Sequence, residues 1–259
     1  MPNFTTDDGC RIHYELSGRE DGAPILFSNS LSCWLSMWDV QAGAIGETHR
    51  VIRYDSRGHG RSDAPEGPYS MERLGRDAVA LLDHLGVART KFVGLSKGGM
   101  VGQWLGTHAP ERVERLMLAN TAAHMGPPDL WNGRIRTART RGMAAIAEPT
   151  MIRWFSEPFR TRGADAIAPM KKITEDNSAS GYAGCCAAIR DMDQRESIRA
   201  IRAPTLVVIG AVDPATTPAA GALIADRIPG ARTVTFDAAH ISNIEQPEAF
   251  TRALIDFMG

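Results

Sequence analysis

The chain has 259 residues, with 29 Lys and Arg against 30 Asp and Glu, for a formal net charge of −1. That balance excludes a protein that holds nucleic acid or an anionic membrane by bulk charge, and no apolar run is long enough to span a bilayer. A content of 43% hydrophobic and 23% charged residues is that of a globular enzyme large enough for one α/β domain with an insertion.

Met1-Pro2-Asn3-Phe4-Thr5-Thr6-Asp7-Asp8-Gly9 lacks the basic start and apolar stretch of a signal peptide, which predicts a cytoplasmic protein. The chain then reads as a β-hairpin, in which Asn3-Phe4-Thr5 and an alternating run from Cys10 to Leu16 flank a turn at Asp8-Gly9. Short apolar strands follow at Pro24 to Ser28, Val51 to Tyr54, Phe92 to Leu95, Leu116 to Ala119, Leu206 to Ile209 and Thr233 to Phe236. Continuous apolar runs such as Leu206 to Ile209 suit strands buried on both faces of a parallel sheet. Helices are expected between them. Ser70 to Leu85 carries Leu74, Ala78, Leu81, Leu82 and Leu85 on one stripe, with Ser70 as N-cap and Gly86 as terminator. Thr217 to Ile228 and Pro247 to Met258 open with proline in the first turn. Strands alternating with helices predict a mostly parallel α/β sheet.

The alternation breaks between residues 124 and 202, where the pattern is helical and no strand is evident. This stretch holds 13 basic and 9 acidic residues, against 16 and 21 in the remainder. A basic helical insertion in a mildly acidic core predicts a cap: a core of residues 1–123 and 203–259, and a lid of 124–202. The four cysteines, Cys10, Cys33, Cys185 and Cys186, form no C-x-x-C pair and are expected to be free buried thiols. The seven histidines show no metal-ligand spacing, so neither a metal nor a cofactor is predicted.

Gly94-Leu95-Ser96-Lys97-Gly98 lies between a strand and a helical segment, Met100 to His108. In that context the G-x-S-x-G pattern is a nucleophile elbow, whose flanking glycines allow a turn sharp enough to expose the serine hydroxyl. Ser96 needs a base, and His240, emerging after the last strand, is the best candidate, with His124 the one competitor. The base needs a carboxylate to hold its tautomer. Asp213, straight after the Leu206 to Ile209 strand, supplies it, ahead of Asp55 and Asp237. The position one strand earlier reads Leu118-Ala119-Asn120 and offers no carboxylate. The order Ser96, Asp213, His240 is that of α/β hydrolases. The expected fold is therefore an α/β-hydrolase fold, with a mostly parallel central sheet flanked by helices and a helical cap insertion. Two backbone N–H donors must form an oxyanion hole; Lys97 and Leu31 are predicted to provide them.

The segments Leu26 to Leu31, Arg53 to Ser62 and Gly94 to Gly99, with Gly181 to Cys186 and Ala239 to Glu245, resemble the 3-oxoadipate enol-lactonase family over essentially the whole chain. Gly-His-Gly-Arg-Ser and the elbow are general to the superfamily, whereas Ser28 to Leu31, Gly181-Tyr182-Ala183 and His240 to Glu245 are more discriminating. The resemblance implies hydrolysis of an anionic enol-lactone through an acyl-enzyme, in the β-ketoadipate route of aromatic breakdown. It also implies a partner for the substrate carboxylate. Trp131 and Arg134, three apart on a helix, would share a face and supply it. His59 reads as a loop-organising residue. Lys97 departs from the family, which usually has an apolar residue there. Its side chain would strengthen the positive field at Ser96, track a different substrate or point to solvent. The other readings are an esterase or lactonase for another small ester, and a ligand receptor on the same fold. Nothing in the sequence decides between a monomer and a homo-oligomer.

Overall fold

The computed structural model describes residues 2–259. Its centre is one eight-stranded sheet: β1 (Asn3–Thr5), β2 (Arg11–Gly18), β3 (Ala23–Ser28), β4 (His49–Tyr54), β5 (Thr90–Leu95), β6 (Val113–Ala119), β7 (Thr205–Gly210) and β8 (Arg232–Phe236). The order across the sheet is β1-β2-β4-β3-β5-β6-β7-β8. The first hairpin is antiparallel and β2 pairs antiparallel with β4; every later pairing is parallel.

Parallel strands covered on both faces must be apolar throughout, and each inner strand here divides its side chains between two cores. Leu26, Phe92, Leu116, Leu118 and Val207 pack into one, with α2 (Met71–His84), α3 (Lys97–His108) and α9 (Pro218–Arg227). Ile25, Phe27, Val93, Met117, Leu206 and Val208 pack into the other, with α1 (Asp39–Ile45) and α11 (Pro247–Met258). The predicted cap at Ser70 is present, its hydroxyl accepting from the N–H of Arg73 at 3.0 Å, and Gly86 ends the helix with φ of +65°.

Between β6 and β7 lie five helices: α4 (Pro128–Arg141), α5 (Ala144–Trp154), α6 (Glu157–Arg162), α7 (Ala164–Asp176) and α8 (Ala179–Asp191). The two ends of this insertion meet in an isolated antiparallel bridge, His124 with Asp193, and Gln194 N–H donates to the Ala123 carbonyl at 2.8 Å. The chain is back on the core by Gln194, ahead of the expected boundary at 202. Gln194 Nε2 donates to the Met100 carbonyl, and Ile198 and Ile201 join the α3 side of the core. The four cysteines are buried free thiols, as expected. No described helix is long and apolar enough to cross a membrane.

Candidate active site

Ser96, Leu31, Asn120, Asp213 and His240 all follow the carboxyl ends of strands, where open α/β sheets build their sites. Ser96 joins β5 to α3 with φ of +56° and ψ of −116°, a conformation that a side chain adopts only when the surroundings enforce it. The turn is held from both sides. The Ser96 N–H donates to the Ala119 carbonyl at 2.9 Å, and the Ser96 carbonyl accepts from the Met100 N–H and from Thr121 Oγ1 at 2.7 Å. Gly98 allows the close approach, since a Cβ there would lie 2.0 Å from the Ser28 carbonyl oxygen. That contact brings the start of α3, with the Lys97 N–H at its first position, against the loop that carries Leu31.

His240 and Asp213 meet directly, with Nδ1 of the imidazole 2.8 Å from Oδ2 of the carboxylate, and both are buried. Oδ2 also accepts from Thr216 Oγ1 at 2.7 Å and from Asn120 Nδ2 at 3.1 Å, while Oδ1 accepts from the N–H groups of Ala215 and Thr216. Burial works against the charge on Asp213. The facing His240 and the hydrogen bonds from His240 and Thr216 outweigh it, holding the carboxyl below its usual range. An ionised acceptor fixes the proton of a neutral imidazole on Nδ1 and leaves Nε2 free to act as a base.

Ser96 and His240 line one cavity of about 190 Å³. Its other walls are largely apolar or aromatic, including Met100, Met125, Leu130, Trp131, Trp154 and Tyr182. Both predicted insertion residues reach it. The guanidinium carbon of Arg134 sits 4.6 Å from the centroid of the Trp131 ring, and the Trp131 indole N–H donates to the Met125 carbonyl at 2.8 Å. Sequence reasoning missed Arg153, which lines the same cavity from α5 and donates to Thr150 Oγ1 at 2.9 Å. Burial and the neighbouring charge of Arg134 push its pKa down to about 10. Among the described residues, no carboxylate lines the cavity. The available signal was the basic surplus of the insertion, which does not single out one arginine. Thr216 and Asn120 were missed because their role is visible only once β6, β7 and β8 are side by side.

The remaining candidates fall elsewhere. His124 is exposed at the neck of the insertion, with Nδ1 3.2 Å from the Met192 carbonyl. Asp237 is exposed. Asp55 organises a loop, accepting from the N–H groups of Leu35 at 2.7 Å and Arg61 at 3.0 Å. His59 does likewise: its Nε2 accepts from the Ser32 N–H at 2.9 Å and Nδ1 faces the Arg57 carbonyl at 3.3 Å. Lys97 corrects the expectation that its side chain points to solvent. It points neither to solvent nor into the cavity but is fully buried behind the turn, where Nζ donates to Ser56 Oγ. Burial alone drives this amine toward its neutral form, because no carboxylate touches it among the described contacts.

Comparison with known proteins agrees with this architecture. A family model described as the alpha/beta hydrolase fold matches residues 24–247. 3-Oxoadipate enol-lactonase 2 of Acinetobacter baylyi is 40% identical over 94% of this chain and 91% of its own, and 3-oxoadipate enol-lactonase 1 of the same organism is 35% identical over 98% and 96%. The crystal structure of the enol-lactonase from Burkholderia xenovorans superposes with a TM-score of 0.97 at 42% identity, covering 99% of each chain.

Proposed function

The chain belongs to the α/β hydrolase fold family and is a carboxylic-ester hydrolase, and from that premise we propose that it opens 3-oxoadipate enol-lactone with water to give 3-oxoadipate. The observation that carries this reading is the shared cavity. One space of about 190 Å³ holds a serine, a carboxylate-backed histidine and two guanidinium groups with no lining carboxylate to neutralise them. Such a space suits a small ester that bears a negative charge.

The reaction follows from the parts. Ser96 Oγ attacks the lactone carbonyl while Nε2 of His240 takes its proton, and Asp213 stabilises the imidazolium. The oxyanion is held by the N–H groups of Leu31 and Lys97, the latter an unsatisfied donor in the first turn of α3 at the positive end of its dipole. Collapse of the tetrahedral intermediate breaks the ring C–O bond. The enol oxygen leaves with the proton from His240 and tautomerises to a ketone. Water then attacks the acyl-enzyme, with His240 again the base, and frees the new carboxylate. The substrate's own carboxylate lies against Arg134 and Arg153, with Trp131 as a wall. The helices of the insertion act as the cap that closes this space from water.

The test is the loss of ultraviolet absorbance of freshly generated 3-oxoadipate enol-lactone, with wild type beside Ser96→Ala. Rapid loss with wild type and none with the variant is expected. Inertness toward the lactone, with Ser96-dependent cleavage of p-nitrophenyl acetate, would reassign the substrate to another small ester.

A further inference from the structure

Asn120 does something the three-residue scheme does not account for. It follows β6 with φ of +43°, in the left-handed region that asparagine tolerates better than most residues, and its side chain is buried. Its amide Nδ2 donates to Asp213 Oδ2 at 3.1 Å and to the Ala239 carbonyl at 3.0 Å, and its Oδ1 accepts from Ser242 Oγ at 2.5 Å. One side chain thus grips the acid and both flanks of His240, the residue before it and the second residue after it. The next residue, Thr121, grips the nucleophile turn through the Ser96 carbonyl. Space has been kept for this arrangement: a Cβ on Gly210 would lie 2.7 Å from Asn120 Nδ2 and 2.4 Å from the Ala239 carbonyl oxygen.

We propose that Asn120 is a positioning residue of the hydrolysis, a bracket from β6 that holds the Asp213 carboxylate and the His240 loop as one unit relative to Ser96. The amide suits this task better than a carboxylate or a hydroxyl. It has two donors for two acceptors and one acceptor for the Ser242 hydroxyl, so every buried polar group in the bracket is satisfied. A buried residue in a left-handed conformation with all its side-chain bonds directed at the acid and base loops is the kind of local strain that a site retains for geometry. The inference rests on the proposed roles of Ser96, Asp213 and His240, and its test does not depend on the lactone being the substrate.

The experiment compares wild type, Asn120→Ala and Ser242→Ala by p-nitrophenyl acetate hydrolysis and by the downfield proton resonance of the His240 Nδ1–H, which is read without any substrate. Asn120→Ala is expected to lower kcat at least tenfold with KM changed less than twofold, and to broaden or shift the resonance. Ser242→Ala leaves Asn120 in place but removes the hydroxyl that orients its amide. It is expected to show a smaller effect of the same sign at a near wild-type Tm, which keeps the test open if Asn120→Ala folds poorly. An unchanged resonance in the folded variants, or a kcat that falls only in step with the fraction of folded protein, would overturn the proposal. Loss of p-nitrophenyl acetate turnover in Ser96→Ala tests the underlying chemistry separately.

Discussion

The carbonyl of Trp154 accepts hydrogen bonds from the backbone N–H groups of both His240, at 3.0 Å, and Ile241, at 3.1 Å. The last residue of α5 is therefore stitched to the loop that carries the proposed base. Glu245 strengthens the seam, accepting from the N–H groups of Ala239 at 3.1 Å and Ser156 at 3.2 Å and from the Ser156 hydroxyl. The insertion and the base loop are thus coupled through buried polar groups as well as apolar packing, and they should loosen together.

Glu245→Ala removes the acceptor shared by Ala239 and Ser156 and leaves the buried Ala239 N–H and the half-buried Ser156 donors without partners. Orphaning such groups costs about 1–3 kcal/mol each. At about 2–4 °C per kcal/mol for a chain of this size, the orphaned Ala239 N–H alone should lower Tm by roughly 2–12 °C, accompanied by a several-fold fall in kcat because the His240 loop loses its anchor. Calorimetry beside steady-state kinetics checks both, and a Tm within a degree of wild type would count against the seam.

His59 makes stability depend on pH in a definite direction. Its Nε2 accepts the Ser32 N–H, so the folded protein requires a neutral ring, and burial together with the nearby Lys97 holds its pKa well below the usual histidine value. The unfolded chain binds a proton below about pH 6.5 while the folded chain does not. Stability from this residue is therefore intact above that pH and falls as pH drops below it, by up to about 1.4 kcal/mol per unit. Urea denaturation at pH 7.5 and pH 5.5 should show the loss, and His59→Asn should flatten the slope. An unaltered slope in the variant would assign the acid sensitivity to other groups.

Much of this was legible in the chain, for identifiable reasons. The strands of a sheet covered on both faces are short continuous apolar runs, and Gly94 to Gly98 carries its own strand–turn–helix context, so the sheet and the elbow could be read locally, and Asp213 and His240 were placed by their positions after successive strands. Trp131 and Arg134 were readable because helical spacing places residues three apart on one face, and the ring and guanidinium do stack. What could not be read are contacts between segments far apart in sequence. Arg153 looks like any of the insertion's arginines until α5 lies beside α4, and Asn120 looks like the end of a strand until Asp213 and Ala239 lie beside it. Lys97 was ambiguous because a long side chain after the elbow can turn outward or back. It turns back, where Ser56 is the acceptor.

That orientation makes Lys97→Met informative. The side chain does not line the cavity, so activity should stay within about twofold, since an apolar residue of similar length leaves the backbone N–H in place. Burial lowers the pKa of Lys97 below the ordinary lysine value. A lowered base penalises the folded state at pH below that folded value, and the penalty fades as pH rises toward the unfolded value of about 10.4. The Tm of Lys97→Met relative to wild type should thus be highest near neutrality and shrink as pH rises toward the unfolded lysine value. Complete inactivation of the variant would give the side chain a role in the chemistry.

The two arginines lining the cavity make the sharpest prediction about substrate charge. With no carboxylate among the described residues lining the same cavity, their charges oppose one another until an anion enters, and burial together with that opposition lowers the pKa of Arg153. A charge-assisted hydrogen bond is worth about 1.5–3 kcal/mol, so Arg134→Ala and Arg153→Ala should each raise KM for the anionic lactone by about tenfold to a hundredfold. KM for the neutral p-nitrophenyl acetate should move less than twofold, because that ester has nothing to offer the guanidinium groups. Arg134→Lys should recover only part of the loss, since an ammonium keeps the charge but gives up the stack on Trp131 and the planar fork. The double variant should cost more than the two single losses added together, because removing either arginine relieves the other of its repulsion and so blunts each single loss. Equal rises in KM for the charged and the neutral substrate would mean that the pair shapes the wall of the cavity and does not bind a carboxylate.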